Sequence, residues 1–296
     1  MKKILILFLI VCCSKLGFSQ HQTFYSQYIY SGLLINPGYA GSQDALNITA
    51  AYRNQWTGFT GAPKDFSLAA HTPLRNKKTN LGFIVSNQKY GITSKTDLNI
   101  AYAYRIKMKE SNLSFGLQAG IDFMRNDWSL VKTTDQNDPN FIPQIEKKSI
   151  PKFGAGIYYS NKKMYAGLAF PTLYRIDSKS SFSPVALNLY SGVLFKLNNE
   201  LIIKPSALIR YVRNSPLQWD LTGTFYLNKI MGVGFGYRSN DAVYAFLDLK
   251  INNQLNLGYG YDFTTSQLKN YSSGSHELML RYLFKYNVNS KSVRYF

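Results

Sequence analysis

The stretch Leu113-Ser114-Phe115-Gly116-Leu117-Gln118-Ala119-Gly120-Ile121-Asp122-Phe123 decides the fold. Its odd positions are apolar and its even positions small or polar. That is the period of two a strand imposes, because successive side chains point to opposite faces. Eleven alternating residues exceed what a strand of a soluble sandwich usually needs and match the length that crosses hydrocarbon at a tilt. One face is apolar throughout and the other carries Gln118, Asp122 and two glycines, as when lipid lies outside and a polar lumen inside.

The same period recurs on both sides. Upstream, Leu46, Ile48, Ala50 and Tyr52 oppose Asn47, Thr49, Ala51 and Arg53, and Phe66, Leu68 and Ala70 oppose Asp65, Ser67 and His71. The turn between them runs from Trp56 to Pro63, which makes one hairpin. Further faces follow at Leu81–Val85, Leu98–Tyr104, Phe153–Tyr159, Met164–Phe170, Val185–Val193, Leu201–Tyr211, Leu217–Leu227, Val233–Tyr237, Val243–Leu249, Leu255–Phe263 and Leu278–Tyr286. This gives about fourteen strands of roughly ten residues, an even number that suits a closed antiparallel barrel. Closure is required once lipid is granted, because an open edge would leave backbone groups without partners. The fold class expected is therefore all-β, a transmembrane antiparallel β-barrel of about fourteen strands with a short N-terminal cap or plug. Residues 126–149 and 171–183 break the alternation and read as long loops. Gly232, Gly234 and Gly236 fall on an inward face, where they would leave room in the lumen or relieve curvature.

Composition agrees with many short strands bearing aromatic bands. The chain has 23 Tyr, 19 Phe and 21 Gly among 296 residues, with 17% charged. No run after the first twenty residues approaches the roughly 18 apolar residues of a spanning helix. The net charge of +18 would fit nucleic acid, but the basic residues are spread over turns and strand ends, with no stripe on a helix and no zinc spacing. They fit headgroups or a basic lumen, so the partner expected is outer-membrane lipid, with no nucleic acid.

The first residues read as an export signal: Lys2-Lys3, an apolar run from Ile4 to Val11, then Gly17 and Ser19 at the positions a signal peptidase inspects. The expected division is 1–19 signal peptide, cleaved after Ser19, 20–45 cap or plug, and 46–296 barrel. Both cysteines, Cys12 and Cys13, fall in the signal, so the mature chain would carry no thiol. Lipidation there is disfavoured because Leu9-Ile10-Val11 lacks the small residue such a site prefers. Residues 20–43 do not alternate. Asn36-Pro37-Gly38 and Ala40-Gly41-Ser42 supply two turn signals, consistent with a plug or with a short amphipathic helix on the periplasmic side.

A dense signature fills the first fifty mature residues: Tyr25-Ser26-Gln27-Tyr28, Asn36-Pro37-Gly38-Tyr39-Ala40-Gly41, Arg53-Asn54-Gln55-Trp56, Gly61-Ala62-Pro63 and His71-Thr72-Pro73-Leu74. Their order resembles the PorP/SprF family of outer-membrane proteins of the Bacteroidetes type IX secretion and gliding machinery. The resemblance extends to Glu277-Leu278-x-Leu280-Arg281-Tyr282 and to the terminal aromatic Phe296. It implies a non-enzymatic barrel that assists secretion or surface attachment of a partner with a type B C-terminal sorting domain, such as a gliding adhesin. Periplasmic type IX secretion proteins or separate peptidoglycan-anchoring proteins would be further partners, and the signature residues would organise docking. The competing class is a porin or hydrophobic-compound channel, which would use the same polar inner face.

No catalytic constellation stands out. The three histidines, at 21, 71 and 276, accompany no His-Glu-x-x-His pattern. His71 and Ser67 share an inward face, which fits a lumen hydrogen bond better than a nucleophile and base. Inward Asp65, Asp122, Asp220, Asp248 and Asp262, with Arg53, Arg105, Arg210 and Arg281, read as a polar lumen network. The glycines at 232, 234 and 236 open no helix and cradle no phosphate. No cofactor and no metal is expected.

Overall fold

The computed structural model describes residues 26, 28–131, 143–175, 186–212 and 215–284. The expected signal peptide, Tyr25, Gln27 and the end of the chain after Phe284 lie outside these residues. Among them are fourteen long strands: β1 (Leu46–Asn54), β2 (Lys64–Pro73), β3 (Thr79–Tyr90), β4 (Thr93–Lys107), β5 (Ser111–Asp127), β6 (Ile145–Asn161), β7 (Met164–Arg175), β8 (Ala186–Val193), β9 (Leu201–Val212), β10 (Gln218–Leu227), β11 (Met231–Arg238), β12 (Ala242–Lys250), β13 (Leu255–Thr264) and β14 (Ser275–Phe284). A two-residue piece, Phe195–Lys196, continues β8 past Leu194.

Each strand pairs antiparallel with its sequence neighbours, and β14 returns to β1 in register from Leu46↔Phe284 to Asn54↔His276. The sheet thus has no edge, which is what an apolar surround demands of a spanning sheet. The alternation sorts as expected: Asn47, Thr49, Ala51 and Arg53 are buried inside, whereas Leu117 and Ile100 on the outer face are each 63% exposed. Connections at the end holding Leu46 and Phe284 are short, and those at the opposite end include 55–63, 128–144 and 265–274. These are the short-turn and long-loop ends below.

Two expectations are corrected. Residues 126–149 are not all loop: β5 runs to Asp127 and β6 begins at Ile145, with a continuous ladder from Phe123↔Ser149 to Asp127↔Ile145. Likewise, β7 continues past Pro171 to Arg175 over an irregularity between Ala169 and Thr172. Both extensions reach the long-loop end, where water can wet both faces. Backbone pairing persists there without the apolar period that reveals a strand in lipid.

Arginine at Leu117, within the apolar band, is expected to destabilise the barrel by about 2–4 kcal/mol, and at Ile106, near the short-turn end of β4, by about 0–1 kcal/mol. Denaturant unfolding in lipid vesicles measures both. Equal costs would show that this face does not lie across a bilayer.

Candidate functional site

The described N-terminal residues run inside the barrel. They form short turns at Tyr28–Tyr30, Gly32–Ile35 and Pro37–Tyr39 before feeding β1 from the short-turn end. The periplasmic-helix alternative therefore gives way to a plug, and the Asn36–Gly41 signature is its seat. Asn36 is fully buried; its Oδ1 accepts from Gly38 N at 2.8 Å, and its Nδ2 donates to Ile157 O at 2.9 Å and to Tyr190 Oη at 3.1 Å. Asn36 thus ends one turn through its backbone N–H to Gly32 O at 3.0 Å, begins the next through its side chain and fixes both to the wall. Pro37 occupies the first position of its turn, where its missing N–H is no loss.

The wall is shaped to receive this turn. Gly116 and Gly156 face each other across β5 and β6. A Cβ at Gly116 would overlap the Pro37–Gly38 peptide, and one at Gly156 would overlap Asn36 Oδ1. Tyr39 then packs edge-on to His71 at 5.4 Å and to Tyr158 at 5.2 Å between ring centroids. Gly41 has φ of 70° and donates its N–H to His71 Nδ1 at 3.1 Å. Its carbonyl accepts from Arg105, which also pairs with Asp44. His71 is thereby committed to the plug and does not bond Ser67.

The other end of the plug is held by charge. Ser26 Oγ accepts from Arg53 Nη1 at 3.2 Å and Arg238 Nη2 at 2.9 Å, and donates to Asp262 at 2.6 Å. One hydroxyl proton and two lone pairs are all used. Ser26 N donates to Glu277 at 2.8 Å. Arg53 spans Asp262 at 2.7 Å and Glu277 at 3.0 Å, while Arg238 spans Asp262 at 3.0 Å and Asp220 at 3.1 Å. All these side chains are buried.

The signature residues thus divide. Ser26, Tyr28, Asn36, Pro37, Tyr39, Ala40, Gly41, Arg53 and His71 gather in the lumen. Asn54, Gln55, Trp56, Gly61, Ala62 and Pro63 instead organise the long-loop rim: Gln55 N donates to Pro63 O, Trp56 N to Ser275 Oγ and Gly91 N to Gly61 O. Pro73 lies apart, opposite Asn80 at the short-turn end.

Of the expected inward charges, Asp122 pairs with Lys95 and Lys152, Arg210 Nε donates to Asn188, and Arg281 lies over the Tyr30 ring. Sequence reasoning missed Arg238, Lys152 and Lys204. Arg238 follows Gly232, Gly234 and Gly236 at steps of two, Lys204 is in phase with the inward Arg210, and Lys152 is out of phase with the outward face that begins at Phe153. Lys204 is fully buried 5.4 Å from the Tyr30 ring and 5.3 Å from the Tyr226 ring.

The inward glycines do not open a lumen. A Cβ at Gly234 would overlap the Phe246 ring and one at Gly236 the Tyr244 ring, so aromatic side chains of β12 occupy that space. Below the plug's helical turn, the gap among Tyr28, Gly32, Ile35, Tyr39, Tyr158, Tyr165 and Tyr190 is about 10 Å3, room for about one water. Above it lies a cavity of about 230 Å3, floored by Tyr28, Ser31, Leu34 and Ile35 and reaching Tyr90 and Val212, the last residues of β3 and β9 at the long-loop end.

The crystal structure of the P. putida toluene transporter TodX shares the architecture, with a TM-score of 0.50 at 7% identity, covering 86% of this chain and 94% of that one. The Acinetobacter baumannii outer membrane protein Omp33 superimposes with a TM-score of 0.48 at 6% identity, over 82% of this chain and all of that one. At 7% identity the likeness to TodX shows the barrel fold alone. No curated protein sequence matches the chain. The profile of the family described as type IX secretion system membrane protein PorP/SprF matches residues 17–282, a span that takes in the plug, its seat and all but the last two residues of the closing strand, and the chain belongs to that family.

Proposed function

We propose that this barrel is a non-enzymatic, plugged component of type IX secretion in the outer membrane. Its long-loop face holds a secreted partner with a type B C-terminal sorting domain, such as a gliding adhesin, and so assists the partner's secretion or attachment at the surface. The observation that carries this reading is the lumen: a tethered segment fills its middle, while the space above stays open toward the long loops. A permanently open diffusion pore gains nothing from such a plug, whereas a docking barrel gains a rigid floor. With short turns inward, as in outer-membrane barrels generally, the long loops face outside. The short-turn end is then left to periplasmic secretion or peptidoglycan-anchoring proteins.

Affinity purification of the tagged protein from its own outer membrane in mild detergent, followed by mass spectrometry, tests this. A secreted protein with a C-terminal sorting domain is expected to stay bound, and to be lost from a variant with Asn36–Gly41 scrambled that still inserts. A barrel recovered alone that passes small solutes would overturn the reading and leave the porin or hydrophobic-compound channel.

A further inference from the structure

The outer wall carries a basic track that neither the plug nor barrel closure uses. At the long-loop end, Lys64, Lys89, Ser94, Arg125 and Lys147 pair successively across β2 to β6: Lys64↔Lys89, Lys89↔Ser94, Ser94↔Arg125 and Arg125↔Lys147. Residues paired across strands share a face. This is the outer one, in step with Phe66 and Phe123. All four cations are exposed. Lys64, Lys89 and Lys147 make no ion pair among the described residues, and Arg125, which meets Asp127 at 3.2 Å, keeps 53% of its side chain exposed. The next outward row toward the membrane is Phe66, Asn87, Thr96, Phe123 and Ser149, in which Asn87 Nδ2 donates to Thr96 Oγ1 at 2.9 Å. The row after that, Leu68, Val85, Leu98, Ile121 and Pro151, is apolar. The wall thus grades from charge through amide and hydroxyl groups to hydrocarbon.

Strands of a barrel tilt, so such a row crosses the wall obliquely. Followed from Lys64 through Asn54, His276 and Tyr261, it sinks to Ala245 and Phe235 in the apolar band. Followed toward Lys147, it climbs out of that band. The exposed outward residues at the same end of β9 to β13 are Tyr211, Trp219, Tyr237, Val243 and Phe263, so among the described strands the track belongs to the β2–β6 sector.

We propose that this sector binds the head of an acidic glycolipid of the outer leaflet, its acyl chains on the apolar rows and two phosphates held by the pairs Lys64–Lys89 and Arg125–Lys147. Neighbouring strands lie about 4.8 Å apart, so each pair can grip one phosphate, and the midpoints of the two pairs stand about 14 Å apart along the row. A free anion or an acidic protein segment would meet only the cations. An amphiphile meets the whole gradient, with Asn87, Thr96 and Ser149 facing the sugar and its amide or ester linkages. The site shares with the docking reading only the outward direction of the long loops, which brings this end to the leaflet built of phosphorylated glycolipid.

The test titrates four lipids onto the full barrel in detergent and counts bound lipid by native mass spectrometry: hexa-acyl lipid A with two phosphates, with one and with none, and cardiolipin as a phospholipid with two phosphates and no sugar. The bisphosphorylated glycolipid is expected to bind at one site, and each of the other three at least about ten-fold more weakly. The double variants Lys64→Gln, Lys89→Gln and Arg125→Gln, Lys147→Gln are each expected to weaken it at least about ten-fold, by removing two cations from one phosphate. Lys107→Gln, Lys109→Gln, at the short-turn end, is expected to leave it unchanged. Binding that ignores the number of phosphates, either track variant binding like the parent, or the short-turn variant losing as much as the track variants would overturn the proposal. Cardiolipin bound as tightly as the glycolipid would overturn the choice of lipid and with it the outer-leaflet assignment. The purified barrel carries no secreted partner, so these outcomes leave docking to its own affinity purification.

Discussion

Intact barrels reconstituted into planar bilayers will pass no measurable current, and barrels lacking residues 26–43 will conduct. The deletion is expected to leave closure untouched, because β14 pairs with β1 along nine residue pairs, from Leu46↔Phe284 to Asn54↔His276, without help from the plug. What it removes is the material at mid-height: the Tyr30 ring edge-on to Phe246, Leu33 against Gly82, and Tyr39 between His71 and Tyr158. The plug should not leave on its own. Asn36, Gly41 and Ser26 together make several buried hydrogen bonds to the wall, each worth about 1 kcal/mol net, and the bonds from Arg53 and Arg238 are of the stronger, charge-assisted kind. A subtler variant, Gly156→Val, places a branched side chain where Asn36 Oδ1 sits and should give intermittent conductance from a full-length chain. Steady current through the parent protein would restore the channel reading. Silence from the deletion variant, once its insertion is verified, would mean that the aromatic side chains of the wall seal the lumen by themselves.

Much of this architecture is legible in the sequence because one physical rule writes it. A strand crossing lipid must alternate, so Leu113–Phe123 announces itself, as do Leu46–Arg53 and Leu255–Phe263. Where the rule lapses, so does legibility. Lys147 and Lys148 lie in β6, and Pro171 in β7, beyond the apolar period, and only backbone pairing keeps them in the sheet. The plug's seat is half legible. Asn36-Pro37-Gly38 reads as a turn, but Gly116 and Gly156 look like any inward glycine until the fold sets them under it. The period gives a side chain's face and not its height or its partner across the lumen. That is why Arg53 and Asp262, 209 positions apart in the chain, read as members of one polar network while their direct pairing is not legible. It is also why Gly234 and Gly236, read as spare room, turn out to be recesses for Phe246 and Tyr244.

Replacing Arg53 by Ala is expected to cost about 3–5 kcal/mol of barrel stability, because removing one member of a buried ion network leaves the buried carboxylates short of a compensating charge. Arg53 is 1% exposed and holds Asp262, Glu277 and Ser26 at once. Its removal takes the guanidinium from Glu277, which keeps the Ser26 N–H among its contacts, and one of two guanidinium groups from Asp262, which keeps Arg238 and the Ser26 hydroxyl. Ser26→Ala removes only the hydroxyl and should cost about 1–3 kcal/mol. The two losses should not add, since each mutation already disturbs the other's contacts, and a coupling of about 0.5–3 kcal/mol is expected from a double-mutant cycle. Denaturant unfolding in vesicles gives all the values, and Glu277→Gln in the Arg53→Ala background should recover part of the loss by removing a stranded charge. That recovery separates electrostatics from packing: a cavity left by the arginine stem would be indifferent to the charge on residue 277. If Arg53→Ala and Ser26→Ala instead cost the same small amount and add, the network holds neither plug nor rim. The plug's anchorage would then lie wholly in the Asn36–Gly41 seat at the other end of the lumen.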